Sequence, residues 1–199
     1  VHVRDLLAVM KYYSVQRADM LCVCVGALTG LRAAALHPER FKTLVLGNGA
    51  YWLGAGHPQC DFERNLERMV QGLALGRKLA VVMRRVMLAP RALSQLDNDL
   101  VHLTMLPYAS AESLYRYALT VLELTKTDLL SWIDKVKVKT LVIVSERDEV
   151  VHPGAARVVH ARLQEAALHS LSEGSHHALL MGLPDVANIA LRFFANQTL

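Results

Sequence analysis

The sequence predicts an α/β fold, a mostly parallel sheet flanked by helices, with a block of helices inserted into it. Three observations carry this. An apolar strand, a small-residue helix and a second apolar strand follow one another between residues 17 and 46, which is the pattern of a βαβ unit. A similar strand, helix and strand recur between 139 and 171. Between them, residues 52–135 show helical periodicity and no strand pattern. The chain has 199 residues, 53% hydrophobic and 20% charged. That suits a folded α/β core and is too apolar for disorder.

The elements follow in order. Residues 5–13, from Asp5 to Tyr13, place apolar side chains at helical spacing behind an aspartate. A short buried strand is predicted near 18–23, ending at Cys24-Val25-Gly26-Ala27. The helix that follows, Leu31 to Leu36, stops at His37-Pro38, where the proline ring forbids continuation. A second strand at 43–46 is closed by Gly47-Asn48-Gly49. Helices are then predicted at roughly 61–75, 77–89, 91–103 and 111–126, broken at Gly76, Pro90 and Pro107. Strands near 140–145 and 167–171 enclose a helix over 153–164, and a last helix runs from Pro184 to Asn196. The expected division is a core of 1–51 with 136–199 and a helical cap of 52–135.

Composition narrows the function classes. A net charge of +4, spread along the chain with no basic stripe interleaved with aromatics, gives no support for nucleic-acid binding. Three cysteines are too few, and odd in number, for a disulfide framework, so a reducing, cytoplasmic setting is expected. The apolar runs fall well short of the ~20 residues of a membrane span. Arg77, Lys78, Arg84, Arg85 and Arg91 lie close together with no acid among them. They read as a solvated face, with a landing patch for an acyl carrier, a CoA thioester or another anionic surface as the alternative.

The chemistry concentrates at Leu21-Cys22-Val23-Cys24-Val25-Gly26-Ala27. A nucleophile on a sharp strand-to-helix turn stands above the sheet edge, where backbone N–H groups of the helix N-terminus favour negative charge. Here the chain resembles the α/β-hydrolase superfamily. The run from Arg17 to Ala27 matches the approach to that family's G-x-S-x-G nucleophile elbow, and His37 to Leu46 matches its next helix end and strand. Cys24 stands in place of serine, Cys22 in place of the first glycine and Ala27 in place of a frequent second one. The resemblance implies Asp148, at the end of Val142–Asp148, as the orienting acid. It places the base in Glu173-Gly-Ser-His-His177, where spacing to Pro184 favours His177 and a G-x-H count from Gly174 favours His176. The chain order of nucleophile, acid and histidine is the order of this family.

A Cys24–His177–Asp148 triad, with His176 as the alternative base, would transfer an acyl group from an ester, lactone or thioester. The substrate would be a small acyl compound, with the backbone N–H of Val25 as one oxyanion donor. No cofactor is implied. A metal site at Cys22 and Cys24 lacks a second ligand pair. Glu146, Glu149, His57 and Cys60 read as incidental to the site. The resemblance covers only the second half of the family fold, without the strands upstream of the nucleophile strand. An exposed sheet edge is therefore expected, covered by an upstream segment or through self-association. A non-catalytic hydrolase-like binding module is the alternative reading.

Overall fold

The computed structural model describes residues 2–54, 56–89 and 105–196. Four strands, β1 (Ala18–Val23), β2 (Phe41–Gly47), β3 (Lys139–Ser145) and β4 (Ala166–Leu171), form one parallel sheet in the order β1-β2-β3-β4. The register runs from Met20 beside Leu44 to Gly47 beside Ile143 and Ile143 beside His169. β2 and β3 are the inner strands, and from Thr43 and Thr140 onward every residue in them is buried. That explains their unbroken apolar runs, since a parallel strand covered on both faces has no solvent side to alternate with. β1 and β4 form the edges and are only partly buried.

The helices of the sheet unit are α1 (His2–Tyr12), α2 (Gly26–Leu36), α6 (Pro153–Arg162) and α7 (Pro184–Phe194). The inserted ones are α3 (Asp61–Ala74), α4 (Arg77–Met87) and α5 (Ala111–Thr125). α1 begins earlier than expected, so Asp5 lies in its first turn rather than before it. α2 ends at His37, and Pro38–Arg40 forms a single 3-10 turn before β2. On one face of the sheet Val45, Leu141 and Ile143 pack against Val186, Ala190 and Phe193 of α7. On the other, Leu44 meets α2 at Gly30.

The chain divides into two compact units, Val1–Glu63 with Asp128–Leu199 and Arg64–Thr127. The helical unit is thus shorter at both ends than the expected 52–135. Within it Glu112 takes Arg77 and Arg116 as ion-pair partners, at 2.7 and 2.8 Å. Arg84 donates to the carbonyls of Tyr108 and Ala109 at 2.6 and 3.1 Å. Two of the clustered cations are therefore engaged within the unit, by groups remote in sequence. The expected helix over 91–103 and Arg91 lie outside the described residues.

Candidate active site

The site is built at the C-terminal ends of β1 and β3, where open parallel sheets place their functional loops. β1 ends at Val23 and α2 begins at Gly26, so Cys24 and Val25 make the whole turn. Cys24 has φ of +54°, a left-handed conformation unusual for a residue with a side chain. Strain of this kind persists only where neighbours hold it. Here the Cys24 N–H donates to Gly47 O at 3.1 Å, and the Cys24 carbonyl accepts from Ala27 and Ala50 N–H, both at 3.1 Å. The end of β2 thereby grips both sides of the Cys24 peptide and fixes the elbow.

Cysteine at position 22 is accommodated by the helix opposite. A Cβ added at Gly30 of α2 would lie 2.5 Å from the Cys22 sulfur and 3.2 Å from Leu44 Cδ1. The space that a glycine at 22 would free is supplied instead by a glycine at 30. Burial pushes the Cys22 thiol up to about 12, so it stays protonated.

Asp148 follows β3 by three residues and is 7% exposed. Its Oδ1 accepts from the backbone N–H groups of Val150 and Val151 at 2.8 and 2.9 Å. Its Oδ2 lies 2.8 Å from Nδ1 of His176. His176 is 3% exposed. The carboxylate therefore engages His176, whereas the spacing to Pro184 had favoured His177. His177 lies edge-on to the His176 ring, with centroids 5.0 Å apart. Burial alone would lower the basicity of His176. Hydrogen bonding to Asp148 and to Cys24, with the charge those two groups carry, outweighs burial and raises the imidazole to about 9. With Nδ1 occupied by Asp148, Nε2 is the nitrogen left for the thiol. Cys24, His176 and Asp148 are thus brought together.

Val25 is the N-cap of α2, in helical conformation, where a helix leaves its first N–H groups without partners inside it. The side chains of Glu146 and Arg157 pair with each other. Among the described residues no cluster of three or more His, Cys, Asp or Glu side chains could hold a metal ion. Among them, too, no helix is long and apolar enough to cross a membrane.

One residue escaped sequence reasoning. Asn48, buried at the end of β2, donates through Nδ2 to Ser145 Oγ at 3.0 Å, Ser175 O at 3.3 Å and His176 O at 2.9 Å. Its Oδ1 accepts from Ser145 N–H at 2.8 Å. One amide thus ties the end of β3 to the histidine loop. The available signal was an asparagine between two glycines at a strand end, and Asn48 does take a left-handed φ of +44°.

The comparisons with known proteins bear on the fold and the family. No curated protein matches the sequence significantly. A hydrolase from Pseudomonas aeruginosa superposes with a TM-score of 0.70 at 20% identity, over 97% of this chain and 70% of that one. The enol-lactonase from Burkholderia xenovorans gives 0.71 at 17%, over 96% and 71%. An esterase from Exiguobacterium antarcticum gives 0.69 at 16%, over 98% and 71%. At such identities these likenesses establish the fold. The model of the alpha/beta hydrolase fold family matches residues 1–183, and the chain belongs to that family.

Proposed function

We propose that the protein is an acyl-transfer enzyme with a Cys24–His176–Asp148 triad, acting on an ester, lactone or thioester. The observation that carries the reading is the buried 2.8 Å contact between Asp148 and His176, on a ring whose other nitrogen is left for Cys24. An imidazole raised to about 9 is basic enough to take the Cys24 thiol proton at Nε2. The Cys24 sulfur attacks the acyl carbon, and the carbonyl electrons move onto oxygen beside the Val25 N–H. When the tetrahedral species collapses, His176 delivers its Nε2 proton to the departing alkoxide or thiolate. Water, or another acceptor, then gives a proton to Nε2 as it attacks the thioester on Cys24, and the acyl group leaves.

The donors proposed are small acyl compounds, with carrier-bound and CoA thioesters in the same chemical class. The test is mass spectrometry after incubation with p-nitrophenyl acetate. An acetyl adduct on Cys24 is expected, lost in Cys24→Ala and strongly slowed in His176→Ala. No adduct on Cys24, or equal acylation of all three cysteines, would favour the non-catalytic module.

A further inference from the structure

Glu63 lies outside the triad, in the first turn of α3, and is only 8% exposed. Its Oε2 accepts two backbone N–H groups, from Cys60 at 2.9 Å and from His152 at 3.0 Å. The bond to Cys60 is the local reach-back of a capping box. The bond to His152 spans 89 residues and serves no helix of Glu63's own. His152 ends the loop that leaves β3 and caps α6. A second tie runs beside the first: the Cys60 thiol is shared between the carbonyls of Glu149 and Val150, at 3.2 and 3.3 Å. Burial raises the Cys60 thiol above its ordinary value, so it keeps the proton it donates. Three of the four residues after Asp148 are therefore held from outside the loop.

We propose that Glu63, seconded by Cys60, is a positioning residue for Asp148, holding the 149–152 backbone so that the carboxylate stays aimed at His176 Nδ1. The proposal rests on the triad reading above. Val150 and Val151 orient Asp148 through Oδ1, and their own place is set by the bonds on either side, at Glu149, Val150 and His152. Without the Glu63 acceptor the loop can drift, and a displacement of about 1 Å at a reacting constellation can cost about 10²-fold in rate.

The test compares Glu63→Ala, which removes the acceptor, with Glu63→Gln, whose side-chain oxygen can accept from both N–H groups. The readouts are the NMR titration of the His176 ring and the rate of Cys24 acetylation by p-nitrophenyl acetate. Asp148, Cys24 and His177 face that ring and are unchanged in both variants. In Glu63→Ala the His176 titration should move from about 9 toward an ordinary histidine value, and acetylation should slow by about 10- to 100-fold. Glu63→Gln should restore most of both.

A second pair guards against a Glu63 variant that does not fold. The backbone of His152, at φ −69° and ψ 123°, suits proline. His152→Pro deletes the N–H, while His152→Ala removes only the imidazole that accepts from Gly154 N–H at 3.0 Å. His152→Pro should fall below His152→Ala in both readouts. The proposal is overturned if Glu63→Ala, or His152→Pro measured against His152→Ala, leaves the His176 titration unmoved. Failure of the triad reading looks different: wild-type Cys24 would take no acetyl group, while the His176 titration would still report on Glu63.

Discussion

Asp148 and His176 sit inside a closed set of bonds, whereas Cys24 stands at the end of an edge strand. On the acid–base side, Asn48 spans from β2 to Ser145 and the backbone of His176, and the acid loop is tied at Glu149, Val150 and His152. Both side chains are almost fully buried on the flank of the two inner strands. On the nucleophile side, β1 pairs with β2 alone among the described residues. Beyond that ladder it is held by side-chain bonds such as Thr43 Oγ1 to Asp19 Oδ1, at 2.6 Å. Leu21 on this strand is 49% exposed and Val25 beside the elbow 38%. The contrast shows two ways of fixing a reactive group. In the proposed triad, long-range side-chain bonds aim the acid and base, while a strained turn gripped by one neighbouring strand aims the nucleophile.

The largest effect should come from breaking the acid–base side. Asp148→Asn keeps an oxygen for the Val150 and Val151 N–H groups but turns an amide toward His176 Nδ1. The ring is then held in the wrong tautomer, a change that costs about 10⁴-fold in a comparable triad. Acetylation of Cys24 should fall on that scale while the unfolding transition stays cooperative. A loss below about tenfold would mean that Asp148 does not orient the base.

A smaller effect sharpens the comparison through pH. His176 is raised from an ordinary 6.5 to about 9 by folding. A group raised in the folded state binds its proton more tightly there, so its stabilisation is complete below about 6.5. That stabilisation is lost as pH rises through about 9. Urea midpoints should therefore decline across this window in the wild type and decline less in Asp148→Asn. Equal slopes in the two proteins would show that the Asp148 contact does not set the titration of His176.

Much of this was legible in the residues, and the rest was illegible for physical reasons. All four strands stood out, the inner β2 and β3 most clearly because buried parallel strands read as continuous apolar runs, and Pro38 ends its helix by sterics. The strand-to-helix turn at Cys24 was legible from its context, and Asp148 was singled out only through the family resemblance. The choice between His176 and His177 was not. Adjacent residues on a loop differ only in which way the backbone turns them, and that turn is set by Asn48, whose bond to His176 O crosses 128 residues. Cys60 read as incidental for the same reason: its acceptors lie 89 and 90 residues away. The shortened helical unit reflects Asp61 and Glu63, which begin α3 while still belonging to the sheet unit.

The smallest expected change in stability tests the nucleophile side. An edge strand offers unpaired N–H and C=O groups to any other strand, and an apolar side chain standing there helps a second chain to settle on it. β1 combines both features at Leu21, next to the elbow. Lysine at that position would place a charge where the incoming strand must pack, without disturbing the ladder to β2. Leu21→Lys should lower concentration-dependent association, read by light scattering, and shift stability by no more than about 0.5 kcal/mol. Leu168 on β4, at the opposite edge and also exposed, provides the matched control. If Leu168→Lys reduces association as much as Leu21→Lys does, the two edges are equivalent, and β1 has no special demand for a neighbour. If only Leu21→Lys does so, the strand carrying Cys24 is the one that seeks a partner, and the nucleophile side is the less self-sufficient half of the site.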